Sequence, residues 1–131
     1  MKTMICILSL LIPLLVSSRL HVDAKVHVHI MNQLGDHKPM NIHCRSKDDD
    51  LGNLVVEEGS EISWSFYVNL WRTTLFYCDV QWGDSGWKHF DAYDAKRDLH
   101  RCSDCSWMIG RDGLLYTYNQ DDEIWTEFPF T

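Results

Sequence analysis

Four cysteines, Cys44, Cys78, Cys102 and Cys105, are the residues of this chain best equipped for chemistry. Cys102-Ser103-Asp104-Cys105 has the C-x-x-C spacing of a dithiol redox pair. In a thioredoxin-like enzyme that motif opens a helix within a βαβ unit. Here an alternating strand pattern follows it, and no βαβ unit is visible. The structural reading is that each of the two bridges elsewhere, Cys44 with Cys105 and Cys78 with Cys102. Four cysteines allow three pairings, and spacing alone does not choose among them.

Other constellations carry weaker chemistry. His27 and His29 share one face of an alternating segment, and with Cys102 and Cys105 they make up a zinc-like donor set. The spacing fits no short zinc module, so a solvated strand face is the reading for the histidines and no metal is expected. Asp48-Asp49-Asp50 lacks the alternating ligands, central Gly and distant Glu of a calcium loop. It reads as an acidic turn whose side chains cap local amides. No G-x-S-x-G elbow is present, and the cysteines are claimed by bridges. A histidine pair acting as acid and base would serve a secreted ribonuclease, but the sequence supplies no geometry for one. No catalytic residue, cofactor or enzyme activity is expected.

The elements that hold these residues follow from the bulk pattern. Met1-Lys2-Thr3 gives a short positive start, and the 13 residues 4–16 are apolar apart from Ser9 and Pro13. That run suits the apolar core of a signal peptide better than a membrane span. Val22-Asp23-Ala24 supplies small residues for cleavage, so residues 1–24 read as a signal peptide and 25–131 as one mature domain. Loss of Lys2 and Arg19 from 12 cations, and of Asp23 from 19 anions, leaves 10 against 18 and a net charge of −8. Such a surface disfavours nucleic acid and anionic lipid, and membrane insertion is not expected. Of five cysteines Cys6 leaves with the signal peptide, and the even number that remains in a short exported chain reads as a disulfide framework. No N-x-S/T sequon occurs, so N-glycosylation is not expected.

Alternation with a period of two runs through the mature part. Val26, Val28 and Ile30 form one apolar set. Ile62, Trp64, Phe66 and Val68 form another, and Phe76, Cys78, Val80 and Trp82 a third. Cys105, Trp107 and Ile109 form the fourth. Turn signals fall at Leu34-Gly35-Asp36, Asp50-Leu51-Gly52-Asn53, Glu58-Gly59-Ser60, Gly83-Asp84-Ser85-Gly86 and Gly110-Arg111-Asp112-Gly113, then across 119–122. Pro129 ends or edges the last strand. Residues 94–101 are polar and read as a loop or one helical turn. Six Trp, five Tyr and five Phe, all after residue 24, can fill the space between two sheets. The expected fold is all-β: a single-domain, disulfide-bridged β-sandwich of about seven to eight mostly antiparallel strands.

Several stretches in order resemble one family. His43-Cys44-Arg45-Ser46-Lys47-Asp48-Asp49-Asp50-Leu51-Gly52 is similar to the HC-x-SKD-x-DLG block of the plant self-incompatibility proteins, also called S-protein homologues. Trp64-Ser65-Phe66 with Asn69 resembles the next block, W-x-F-x-x-N. Thr74-Leu75-Phe76-Tyr77-Cys78 with Trp82, Phe90-Asp91-Ala92-Tyr93, and Cys102, Cys105 and Trp107 complete the order. The resemblance implies a secreted, cysteine-bridged β-sandwich without catalytic residues. It implies an extracellular signalling ligand, since the founding members act from the poppy stigma on pollen through a surface receptor. The rival expectations are a secreted ribonuclease-like hydrolase and a defence or toxin-like protein.

The shared blocks describe a scaffold, so recognition is expected in the loops between them. The candidate segments are 69–73, 83–87, 94–101 and 119–123. The partner-binding candidates within them are Trp71, Arg72, Asp84, Trp87, Lys96, Arg97, Asp98, Asp121 and Asp122. Trp71 and Trp87 stand out because Trp is enriched in binding hot spots.

Overall fold

A computed structural model describes residues 25–131. The expected signal peptide, residues 1–24, lies outside the described residues. Nine strands and one helical turn follow in order: β1 Val26–Asn32, β2 Met40–Arg45, β3 Asp50–Val56, β4 Glu61–Phe66, β5 Leu75–Gln81, β6 Lys88–Asp94, α1 Ala95–Asp98, β7 Asp104–Ile109, β8 Leu115–Asn119 and β9 Ile124–Phe128. They make two sheets, a five-stranded β4-β1-β7-β8-β9 and a four-stranded β3-β2-β5-β6. All neighbours are antiparallel except β1 and β7, which run parallel with His27 opposite Asp104.

The period-two sets define the inner faces. Val28 and Ile30 of β1 and Trp107 and Ile109 of β7 are fully buried on one sheet. They face Ile42, Cys44, Cys78, Val80, Phe90 and Ala92 of the other, within one apolar cluster. Trp64, Phe66 and Trp82 are half-buried and pack against its margin. One polar side chain is used as a tie. Buried Asn32 donates from Nδ2 to the carbonyls of Lys38 (2.8 Å) and Val56 (2.9 Å), and its Oδ1 accepts from the Leu34 amide. It thereby satisfies the backbone of the 33–39 segment where the chain passes from one sheet to the other.

The strand count exceeds expectation by a strand that reads locally as a turn. Asp50-Leu51-Gly52-Asn53 lies inside β3, where Gly52 adopts φ +81° and the register with β2 shifts between His43 and Arg45. A β-bulge accommodates the turn-like residues without breaking the ladder. The 94–101 segment resolves into the single turn α1, capped by Asp94, whose side chain accepts from the Lys96 amide.

The expected disulfide pairing is corrected. The bridges are Cys44–Cys78 and Cys102–Cys105, not Cys44–Cys105 and Cys78–Cys102. The cause is register. Cys44 and Cys78 are direct partners across β2 and β5, with Cα atoms 4.1 Å apart. Cys105 belongs to the other sheet, in β7 between β1 and β8, and is not a strand partner of Cys44. Cys102 and Cys105 close a local ring at the entry to β7, with Cα atoms 5.3 Å apart.

The two rings predict unequal contributions. Loop-closure entropy assigns roughly 4 kcal/mol to the long Cys44–Cys78 loop and roughly 2 kcal/mol to the short one. The double variant Cys44→Ala/Cys78→Ala should therefore lose more stability in urea than Cys102→Ala/Cys105→Ala. Equal losses would mean that the chain-entropy difference does not govern these bridges.

Candidate recognition site

The strand order decides which loops meet. β1 begins opposite the end of β4 and the start of β7, with Val26 opposite Phe66 and His27 opposite Asp104. β2 ends opposite the start of β5, with Arg45 opposite Tyr77, and β5 begins opposite the end of β6, with Leu75 opposite Asp94. Gln120 Nε2 donates to the Asp104 carbonyl, which brings the β8–β9 turn to the same place. The segments 46–49, 67–74, 95–103 and 120–123 thus share one end of the sandwich. The 82–87 loop lies at the opposite end, with 33–39, 57–60 and 110–114.

The candidates therefore fall into two groups. Trp71, Arg72, Lys96, Asp121 and Asp122 share the first end, and Asp84 and Trp87 belong to the second. Trp71 is 84% exposed and its neighbour Leu70 94%. They sit at the tip of a braced loop: Asn69 Oδ1 accepts from the Thr73 amide (2.9 Å), Asn69 Nδ2 donates to Thr73 Oγ1 (3.0 Å), and the Asn69 amide donates to Thr74 Oγ1 (2.9 Å). Arg72 takes a left-handed conformation, φ +56°, which turns the chain back after Trp71. Asn119 braces the opposing turn, its Oδ1 accepting from the amides of Asp121 and Asp122. At the second end Trp87 is 59% exposed and leans over the outer face of β2 and β5, where it lines a shallow depression with His43, Asn53 and Asp79.

Two candidates do not serve as surface groups. Asp98 has no exposed surface. Its carboxylate accepts from Arg97 Nε (2.7 Å) and Nη2 (2.6 Å), Arg101 Nε (2.8 Å) and the Asp94 amide (2.9 Å). Burial pushes its pKa up, but the Arg97 contact, the Asp94 amide and Arg101 outweigh that and hold it below the ordinary carboxylate value. Arg97 is occupied as well: Nη2 donates to the Asp91 carbonyl (2.8 Å), and the guanidinium lies 5.5 Å from the Trp107 ring and 5.1 Å from Phe128. A polar run of the type Lys-Arg-Asp reads as surface, but one helical turn aims the third residue inward.

A cleft of about 670 Å³ lies between the 46–49 and 67–74 segments. Phe66, Tyr67, Trp71, Leu75 and Tyr77 supply apolar surface, and Lys47, Asp48 and Asp49 supply charge. Sequence reasoning marked Trp71 but not the cleft, because its two walls come from loops far apart in the chain. The Asp48–Asp50 run behaves as an acidic turn: the Asp50 side chain accepts from the Gly52 amide (2.8 Å), and the Asp49 amide donates to Ser46 Oγ (3.1 Å). Among the described residues no group of His, Cys, Asp and Glu is placed to hold a metal ion. No described helix is long and apolar enough to cross a membrane.

The histidines lie on strand faces. His43, Asp79 and His89 form one cross-strand row over β2, β5 and β6. His89 Nδ1 is 2.8 Å from Asp79, and His43 Nε2 contacts Asp50. On the other sheet His29 bridges Glu61 and Asp104, at 2.7 Å each. Burial lowers the His29 pKa, but the Glu61 hydrogen bond and the Asp104 charge outweigh it and raise the value above 6.5. Because the folded state holds the proton more tightly, the contribution is complete below the unfolded value and is lost as pH rises through the folded one. His29→Gln should thus lose stability at about pH 5.5 and little at about pH 8, by under ~1 kcal/mol for so exposed a group. Urea midpoints at the two pH values check this, and a loss confined to the alkaline side would contradict it.

Known proteins share this framework. The family model described as plant self-incompatibility protein S1 matches residues 27–129. Self-incompatibility protein S1 of Papaver rhoeas is 46% identical over 102 residues, covering 76% of this chain and 73% of that protein. S-protein homolog 5 of Arabidopsis thaliana is 53% identical over 75 residues, 57% of this chain and 58% of its own length. S-protein homolog 29 of the same plant is 35% identical over 107 residues, 82% of this chain and 78% of its own length. A solved self-incompatibility protein homologue, described as one of a widespread family of small, highly stable, secreted proteins from plants, superposes with a TM-score of 0.58. It covers 83% of this chain and 91% of its own at 16% identity, a likeness of fold. By the match over 27–129 and the Papaver and Arabidopsis relatives, the chain belongs to the plant self-incompatibility protein S1 family, small secreted proteins of plants.

Proposed function

We propose that this chain is an extracellular signalling ligand, exported by removal of residues 1–24, whose 25–131 domain is recognised by a cell-surface receptor without any bond chemistry. The observation that carries the reading is the braced loop holding Trp71 at 84% exposure beside the loops of Lys96, Asp121 and Asp122. A large aromatic fixed in solvent before binding loses little conformational freedom on docking. Trp71 is the anchor, and Arg72, Lys96, Asp121 and Asp122 form its polar rim. Asp84 and Trp87, at the far end, are outside this contact.

Fluorescently labelled protein applied to plant cells tests the reading. Trp71→Ala should weaken saturable surface binding about tenfold or more, a typical hot-spot loss. Its urea midpoint should stay unchanged, because the side chain packs against little. Trp87→Ala/Asp84→Asn should bind like the parent. A loss on changing Trp87 with none on changing Trp71 would move the site to the other end, and no saturable binding by the parent would remove the receptor reading.

A second reading has one observation in its favour. His43 and His89 flank Asp79 on adjacent strands, as an acid–base pair for a secreted ribonuclease would. Each ring is tied to a carboxylate, and Arg45, the nearby cation, is 3.5 Å from Asp79. An acidic row of this kind repels a phosphodiester. RNA turnover by purified protein, abolished by His43→Ala or His89→Ala, would favour the enzyme.

A further inference from the structure

The cleft between the 46–49 and 67–74 segments has a chemistry that names its occupant. One wall is aromatic, from Phe66, Tyr67, Trp71 and Tyr77, and the other carries the carboxylates of Asp48 and Asp49. Among the described residues neither carboxylate forms an ion pair within 4 Å. Both walls are built before any ligand arrives. Ser46 and Asp49 close a tight turn through Ser46 N to Asp49 O (2.7 Å) and Asp49 N to Ser46 Oγ (3.1 Å), and the Asn69 bonds brace the other side. Two rings of this cleft already hold cations of the chain itself, which leaves the exposed Trp71 ring to meet an incoming one. Lys25 Nζ lies 5.6 Å from the centre of the Tyr67 ring, and the Arg45 guanidinium 5.4 Å from that of Tyr77. These distances fall within the range of cation–π attraction.

We propose that this cleft is a binding site for a basic side chain, an arginine or lysine on an exposed peptide segment of a partner protein. The cation takes the exposed ring of Trp71 and the charge of Asp48 and Asp49, and its aliphatic stem lies against Leu75. The net charge of −8 over residues 25–131 favours the approach of such a segment at long range. Lys47, which also lines the cleft, and Lys25 and Arg45, which sit over its Tyr67 and Tyr77 rings, oppose it. That opposition makes the inference directional: removing Lys47 should tighten binding, whereas removing Asp48 and Asp49 should weaken it. A neutral glycan stacking on Trp71 would respond to neither change. The inference rests on the receptor reading in supposing a protein partner, and its test is arranged to fall separately.

The probe is the capped pentapeptide Gly-Arg-Gly-Arg-Gly, followed through the indole N–H resonance of Trp71 in the 25–131 protein. Its Glu counterpart and cellohexaose serve as controls. The expected result is a saturable, salt-sensitive shift with the arginine peptide alone. The double variant Asp48→Asn/Asp49→Asn and the variant Trp71→Ala should each weaken binding about tenfold, the latter followed by calorimetry. Lys47→Gln should strengthen it. Glu57→Gln/Glu58→Gln, which removes the same charge at the opposite end, should change affinity by less than about twofold. Equal losses in both acidic double variants would reduce the effect to diffuse charge and overturn the site. So would an absent Trp71 shift, or a shift with cellohexaose that matches the peptide's. In the cell-surface assay, unaltered binding by Asp48→Asn/Asp49→Asn overturns the cleft while the receptor reading stands. Failure of the parent to bind cells removes the receptor reading and leaves the peptide result to decide the cleft.

Discussion

Asp98→Ala should lower stability by about 3–5 kcal/mol, read as a large drop in the urea midpoint. The parent carboxylate is fully buried and accepts four hydrogen bonds, three of them from Arg97 and Arg101. Removing it leaves two guanidinium groups facing each other across a void and orphans the Asp94 amide. It also frees the Arg101 side chain, which the carboxylate ties down just before the Cys102–Cys105 ring. Asp98→Asn retains one acceptor oxygen and should lose less. The same carboxylate predicts an acid limb. Its folded pKa is depressed, so its contribution is present above the unfolded value near 4 and is lost as pH falls through the folded one. Asp98→Asn should flatten the stability curve below about pH 4, and an unaltered limb would show that other carboxylates govern acid unfolding.

Trp107→Ala should cost about 3–5 kcal/mol as well, by a different route. Trp107 has no exposed surface and sits between the sheets. Its ring contacts Phe90 and Phe128 at centroid distances of 5.2 Å each, and Nε1 donates to the Ala92 carbonyl at 2.9 Å. Alanine there leaves a cavity and an unpaired carbonyl. Trp107→Phe, which keeps most of the volume and removes the N–H, should separate the two parts, the lost hydrogen bond being worth about 1–3 kcal/mol. The Asp98 and Trp107 losses should not add. Arg97 is shared between them, held by Asp98 and laid over the Trp107 ring, and a double-mutant cycle should show coupling of about 0.5 kcal/mol or more. Strict additivity would mean that Arg97 transmits nothing between its two partners.

What was legible along the chain was whatever depends on neighbours in sequence. Val28, Ile30, Phe76, Val80, Trp107 and Ile109 announce their inward faces through alternation, and the structure buries each of them. What was hidden depends on neighbours in space. Cys44 meets Cys78 only because β2 lies beside β5, a fact of strand order that no local spacing encodes. Asp50 to Asn53 has turn chemistry, yet pairing with β2 holds it in a bulged strand. Asp98 lies in a polar stretch and is buried by the geometry of a single helical turn. Trp71 and Trp87 were indistinguishable in sequence, since loops have no period. The structure places them at opposite ends.

The parallel pairing of β1 with β7 has a temporal consequence. Val28 and Ile30 are among the first apolar residues of the described chain, and their parallel partners, Cys105 and Trp107, each lie 77 residues later. As the polypeptide emerges from a translocation channel, β1 can pair with β4, but its other edge stays open until β7 arrives. Such a long-range parallel closure is slow, on the order of milliseconds to seconds. The nascent domain therefore spends most of its emergence with a hydrophobic interior strand half-covered. Lumenal chaperones have that interval in which to bind it, and a chain truncated before Asp104 would present the same open edge permanently.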